Sequence, residues 1–357
     1  MQSSHSEIKK ININDNSFDY IRITIAVIIL LGHFIGHFQI ENPILYKLAY
    51  IVRGVPLFFC LSGFLVARSV ERYNLREFLE KRFFRIFPAL WVCVGINLII
   101  IVCIAGYIPS LKDFFIYLIT QFSFLQFYTG SWLSEYGVGV PNGALWTITT
   151  DIQFYFVVYY LDKVLRNTSK KVWIGVILFL AVLSLILEKY NNLYPEVVYK
   201  LLSVSLLPFL YIFIFGMMIY YKRDIIIPWV VRNSKAIIVL YLLWNFLPET
   251  WTANFNGIRY NIITTFLLML SLFAIAYSFG SKRLKNDYSY SFYLYHMVVL
   301  NFIYHFFIKK LSNDVVSIVI FAIAFLTTSL LAYLSVHIVE KRLTNSLEDY
   351  YFNKKGD

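Results

Sequence analysis

The sequence predicts an all-α polytopic membrane protein of about ten transmembrane helices plus a short re-entrant or interfacial segment, with both termini cytoplasmic. Three observations predict it. Hydrophobic residues make up 59% of the 357 and charged residues only 15%, with a mean hydropathy of +0.64. That is more apolar surface than a water-soluble core of this length hides. Apolar runs recur from residue 20 to residue 338, and many are long enough to cross hydrocarbon. The net charge of +11 is gathered in short loops, as the positive-inside rule predicts, so nucleic-acid binding is not needed to explain it.

The elements follow in order. The leader "MQSSHSEIKKININDNS" (1–17) is polar and has no signal-peptide pattern, so the first span is expected to be retained as an anchor. Hydropathy places spans near 20–38, 51–69, 86–106, 147–165, 172–188, 201–221, 236–248, 260–280, 289–308 and 315–338. These form a single transmembrane domain over 18–342, followed by a cytoplasmic tail over 343–357. The loop "ARSVERYNLREFLEKRFFR" carries Arg68, Arg72, Arg76, Lys81, Arg82 and Arg85, and "LDKVLRNTSKK" is basic too, so both are cytoplasmic. An even number of crossings must separate them, and 86–106 with 147–165 supplies it. The stretch 114–127 is shorter than the roughly 17–25 residues of a crossing. It reads as a re-entrant or interfacial piece running into "YTGSWLSEYGVGVPNG". The loops "YYKRD" and "SKRLK" then alternate with the near-neutral "NNLYPE" and "PETWTANFNG". Span 236–248 is short, and Lys309 and Lys310 fall on the outer side. No internal repeat is visible, which counts against an inverted-repeat transporter.

Several ionisable groups sit where lipid would make them costly. In "FDYIRITIAVIILLGHFIGHF", Arg22 and His33 are eleven residues apart. At about 100° per residue they share a helical face, separated by about 16 Å of rise, and His37 shares it too. A bilayer histidine can be packing glue between helices, and Arg22 alone can be a snorkelling anchor. Both on one face point instead to an interior cavity. His33 and His37 also have metal-ligand spacing, but "HFIGH" lacks the glutamate of a zinc-protease helix and no third ligand is evident, so no metal is expected. Cys60, Cys93 and Cys103 lie in apolar runs without paired spacing.

"ALWTITTDIQFYF" puts Asp151 and Gln153 at the start of the fourth span, at a depth comparable with His33. A carboxylate that orients a histidine is a recurring general-base arrangement; a helix-start cap is the structural alternative. Arg82 and Arg85, three residues apart before Pro88, form a fork suited to phosphate at the cytoplasmic boundary, or ordinary positive-inside charge. "YSYSFYLYHMVVL" places His296 about two turns into the ninth span, flanked by Tyr293 and Tyr295, where it lines a tunnel or hydrogen-bonds a tyrosine. Tyr128, Trp132, Tyr136 and Trp146 mark an aromatic-rich outer stretch that can serve as a sugar platform, though interfacial aromatics are common. Glu340 in "VEKRL" reads as a salt-bridge partner, and His5, His305 and His337 stay unassigned.

Together these motifs resemble the acyltransferase-three family of bacterial integral-membrane acyltransferases, which includes polysaccharide O-acetyltransferases. Arg22 and His33 meet its Arg-x10-His spacing. "GVPLFFCLSGFLVARS" is similar to its second-helix signature, "KRFFRIFPALW" to its Arg-x-x-Arg element, and "LWTITTDIQFY" to a pattern with glutamate where Asp151 stands. "YSYSFYLYHMVVL" and "VEKRL" match the closing signatures. Departures are Ile23 after Arg22, Asp151 for glutamate, and Pro56 where an aspartate is common.

The resemblance implies transfer of an acyl group, acetyl in the first instance, from cytosolic acyl-CoA to a sugar hydroxyl of a surface glycan or its lipid-linked precursor. This would occur at the outer face of a bacterial cytoplasmic membrane, in a stand-alone form. It casts His33 and Asp151 as catalytic, Arg22, Arg82, Arg85 and His296 as donor-binding, and Trp132, Trp146 and Gln153 as acceptor-binding. Succinyl transfer and N-acylation remain alternatives, as does a sugar transporter without acyl transfer. An oligomer is compatible with all of them.

Overall fold

The computed structural model describes residues 14–278, 280, 283–307 and 314–342. The leader up to residue 13, Lys309, Lys310 and the tail 343–357 lie outside the described residues. Every regular element described is helical, apart from one isolated bridge between Asn256 and Asn261.

The first half runs α1 (Phe18–Phe38), α2 (Pro43–Ile51), α3 (Gly54–Arg72), α4 (Leu75–Ile99), α5 (Leu111–Phe122), α6 (Trp146–Leu165) and α7 (Lys170–Lys189). The second runs α8 (Glu196–Leu202), α9 (Leu210–Tyr221), α10 (Arg223–Arg232), α11 (Ser234–Asn245) and α12 (Glu249–Thr252). After them come α13 (Ile262–Ser278), α14 (Ser289–Phe306) and α15 (Asp314–Ser335). Five continuous helical runs are long and apolar enough to cross a membrane: α1, Pro43–Arg72, Leu75–Ile104, α7 and Asp314–Glu340. The α8–α9 segment, bent by 47°, and α10–α11, bent by 72°, raise the number to seven if each is one span. The protein is therefore a multi-pass membrane protein.

Each of the ten apolar stretches contains a helix, but three fall short of the length or hydropathy of a crossing. α13 has 17 residues. α6 and α14 carry polar groups, among them Asp151, Asp162, His296 and Asn301, that lower their hydropathy because they face other helices. At 114–127 the chain forms only the 12-residue α5, too short to span.

The local reasons are legible. Asn74 caps α4 by accepting from Glu77 N, and Glu77 returns a bond to the Asn74 backbone. Asn42 caps α2 ahead of Pro43, whose missing N–H costs nothing at that position. The tightest packing is where α3 crosses α9. A Cβ on Gly63 would lie 2.1 Å from the Phe213 carbonyl oxygen, and one on Gly216 would lie 2.1 Å from that of Cys60. Two glycines thus let the backbones touch, the small-residue solution that lipid-embedded helices favour.

The bundle has two distinct ends. At one, the starts of α1, α4 and α14 meet the ends of α3 and α13: Ser17 N donates to Ala276 O (3.0 Å), Arg82 Nη2 to Ser69 Oγ (2.5 Å) and Tyr290 Oη to Ile86 O (2.9 Å). At the other, the ends of α1 and α14 meet the loop at 137–141, as described below.

Candidate active site

At the first end three guanidiniums gather. Arg22 pairs with Asp19 (2.5 Å) and with Asp287 (3.2 Å), and Arg85 pairs with the same Asp287 oxygen (3.2 Å). Asp287 stands just before α14 and also accepts from Ser289 N (3.1 Å) and Ser289 Oγ (2.5 Å). From one residue outside the N-cap it therefore satisfies a free N–H at the start of that helix while bridging two others. Burial pushes the Asp287 carboxyl up, but Arg22, Arg85 and the Ser289 bonds outweigh it and hold the group below the ordinary carboxylate range. Arg82 bonds Ser69 and lies 5.5 Å from the ring centres of Phe78 and Tyr155. Arg85 is half exposed, whereas only 14% of the Arg22 side chain is.

These groups open onto one cavity of ≈ 130 Å³, lined by Arg22, Arg82, Arg85, Ser62, Asp151 and Tyr293 among others. Ser62 Oγ and the Asp151 carboxylate are buried beside one another on its wall, and each is the other's nearest polar partner. Arg82 and Arg85 are the charges nearest to act on Asp151. Among the described residues no hydrogen bond joins Asp151 to His33.

His33 does not line that cavity; it lies behind Tyr293 and His296. Tyr293 faces the cavity, is 5.8 Å from Phe58 and 5.4 Å from His296, and His296 is 5.2 Å from His33, measured between ring centres. Tyr293 is fixed by bonds to Thr147 Oγ1 and to Ala144 O, both 2.8 Å. His296 is completely buried, and its Nδ1 meets the Tyr293 carbonyl at 2.6 Å. A carbonyl only accepts, so Nδ1 carries the proton and the orphaned Nε2 holds a free lone pair. His37 Nδ1 meets the His33 carbonyl (2.8 Å) and its Nε2 meets Asn301 Oδ1 (3.3 Å). Asn301 in turn accepts from Val138 N and donates to Val140 O and Pro141 O, clamping the loop over the histidines.

The remaining sequence candidates sit elsewhere. Gln153 accepts from Leu206 N (2.8 Å), holding the approach to α9. Trp146 packs on Phe59 and Phe209 beneath the Arg259 guanidinium, 4.2 Å away. Trp132 packs on Tyr117 (5.8 Å), and Tyr136 is completely buried. Glu340 accepts from Ser291. Sequence reasoning did not single out Asp287 or Asn301. "NDYS" ahead of an apolar run was a usable cap signal for the first; a lone asparagine within a span has none beyond its rarity. Among the described residues no three His, Cys, Asp or Glu side chains converge as metal ligands.

Comparison with known proteins places the chain in a family. The pattern of the acyltransferase-3 family, described as an acyltransferase domain, matches residues 15–337. The chain belongs to this acyltransferase family. It is 26% identical over 321 residues to Nodulation protein 10 of Rhizobium leguminosarum bv. viciae, covering 80% of this chain and 83% of that protein. It is 25% identical over 289 residues to the peptidoglycan O-acetyltransferase OatA of Listeria monocytogenes, covering 69% of this chain and 44% of that protein. No solved structure matches. The resemblance carried by six sequence motifs is thus borne out across most of the chain, and the protein is a membrane-bound acyltransferase.

Proposed function

We propose that this family member transfers an acetyl group from cytosolic acetyl-CoA to a sugar hydroxyl of a cell-surface polysaccharide or its lipid-linked precursor. The reaction occurs at the outer face of the bacterial cytoplasmic membrane. One domain of ten spans, 18–342, carries it out with both termini inside. The observation that carries this reading is the cavity that Arg22, Arg82, Arg85 and Asp151 share, one tyrosine away from the His33–His296 pair.

The roles follow from the chemistry. The donor's phosphates meet Arg85, Arg82 and Arg22 through charge-assisted bonds, sharing or displacing the Asp287 carboxylate. The pantetheine arm runs along the cavity wall past Ser62 and Asp151, the buried polar pair that faces it. His33 lies outside the cavity lining, behind Tyr293 and His296, so Tyr293 must move for the thioester to reach it. His33 then removes the acceptor hydroxyl's proton as that oxygen attacks the thioester carbonyl. The new C–O bond forms, the C–S bond breaks, and the departing CoA sulfur takes the proton back from the imidazole. His296 Nε2, a buried lone pair beside His33, positions the ring or shares its proton. Asp151 acts on the donor side, through Arg82 and Arg85.

The test uses the full chain in lipid nanodiscs, titrated with acetyl-CoA and succinyl-CoA. Acetyl-CoA is expected to bind and to lose its thioester slowly to water. Tighter binding of succinyl-CoA would reassign the acyl group. Binding of neither would discard both as donors and point to a different acyl donor.

A further inference from the structure

Gln39 ends α1 with a φ of 50°, in the left-handed region, and so turns the chain back into α2. Helix geometry divides α2 into three faces. Leu45 and Ala49 point into the bundle. Ile44 and Leu48, 72% and 56% exposed, form a second face suited to lipid. Tyr46, Lys47 and Tyr50 form the third, and it borders a groove of ≈ 710 Å³ completed by Glu41, Arg53 and Asn245. The Tyr241 hydroxyl bonds the Ile51 carbonyl, tying the α11 wall of the groove to the α2 wall.

The contents of the groove are chemically specific. Tyr46 and Tyr50 lie with ring centres 4.3 Å apart and an interplanar angle of 35°, both exposed, so they present a broad aromatic surface. Arg53 has no carboxylate within ion-pair distance among the described residues, and its Nε is buried without a partner. It also precedes the start of α3, where the helix dipole disfavours a cation. Lys47 lies over Phe246, 4.2 Å from the ring centre. A lipid tail would leave these polar groups stranded. A sugar offers an apolar C–H face for stacking and hydroxyls for the polar rim, the mix that orienting pockets have. The groove lies at the end of the bundle opposite the Arg22–Asp287–Arg85 cluster. α1 links it to His33, five residues before Phe38 and so about 8 Å along the axis.

We propose that this groove seats the acyl acceptor as a carbohydrate chain, with one sugar ring across Tyr46 and Tyr50 and an anionic group, carboxylate or phosphate, on Arg53. It rests on the acyl-transfer reading above and adds the site and the charge of the acceptor.

The experiment compares Tyr46→Ala/Tyr50→Ala, Arg53→Gln and the lipid-face control Leu48→Ala, each in the full chain. Acylation of the cell-surface glycan is read by mass spectrometry, and acetyl-CoA affinity is read on the purified proteins. The tyrosine double variant and Arg53→Gln are expected to lower acylation about tenfold, the scale of a lost anchor residue. Leu48→Ala should match wild type, and acetyl-CoA affinity should be equal in all four. The acylated sugar should carry or adjoin a uronic acid or a phosphate, which mass distinguishes. Wild-type acylation in the double variant, an equal loss in Leu48→Ala, or an acylated glycan without an acidic group would overturn the proposal. Failure of the wild-type chain to bind acetyl-CoA would instead remove that donor from the acyl-transfer reading on which it stands.

Discussion

Asp287→Asn separates charge from shape at the donor end. The amide oxygen can still accept from Ser289 N, so the start of α14 keeps that bond, but Arg22 and Arg85 lose their shared counter-charge. The Arg22 pair is mostly buried, with exposures of 14% and 29%, and is worth about 1–2 kcal/mol, below the roughly 3–5 of a fully buried pair. The Arg85 partner is 50% exposed, so solvent screening holds its share to about 0.5 kcal/mol. The variant should therefore lose about 2 kcal/mol of stability. The carboxyl's depressed pKa means this contribution is complete above the ordinary carboxylate value of about 4. It fades as the pH falls through the lower folded value. Wild type should thus lose stability below about pH 4 where the variant does not. Because the guanidiniums are freed for phosphate, the KM for acetyl-CoA should fall, by about threefold to tenfold for roughly 1 kcal/mol. Thermal unfolding across pH and initial-rate kinetics in nanodiscs measure both. A raised KM with unchanged stability would refute the reasoning, since it would mean that Asp287 neither pairs with the arginines nor competes with the donor.

Arg85→Ala should weaken acetyl-CoA binding about tenfold to a hundredfold with little change in melting temperature, because Arg85 is half exposed; isothermal titration and a melting curve check this. His33→Ala should cut acyl transfer about a hundredfold to ten-thousandfold while leaving acetyl-CoA affinity intact, read by glycan mass spectrometry and titration; wild-type acylation would remove the general-base role. Gly63→Ala forces a methyl towards the Phe213 carbonyl and should destabilise by about 1–3 kcal/mol or more, measured by thermal unfolding in detergent. Asn301→Ala strands the carbonyl of Val140, while that of Pro141 keeps its bond from Asn97, and should cost about 1–3 kcal/mol in the same assay.

Much of this architecture can be read from the sequence, because hydropathy and loop charge are strong signals in a membrane protein. The apolar stretches fall on helices, and α5 is as short as its run of residues requires. The gathering of Arg22, Arg82, Arg85 and Asp151 follows from helix periodicity once α1, α4 and α6 are packed around α3 and α14. What one-dimensional spacing cannot convey is which helix faces which. His296 stands beside His33 because α14 packs on α1, and no spacing rule links residues that far apart. Tyr136 looks like a surface aromatic in a Gly-rich loop, yet that loop folds inward under the Asn301 clamp. The exposed pair is on α2, a nine-residue helix hidden in what reads as the approach to the second span.

The most direct measurement is an electron cryo-microscopy map of the full chain in nanodiscs with a non-hydrolysable acetyl-CoA analogue. The account predicts the diphosphate against Arg82 and Arg85, Tyr293 swung from its Thr147 bond, and the acyl carbon within about 4 Å of a hydroxyl position that His33 can deprotonate. Phosphates bound away from the arginines, or an acyl carbon lying apart from His33 with Tyr293 unmoved, would contradict it.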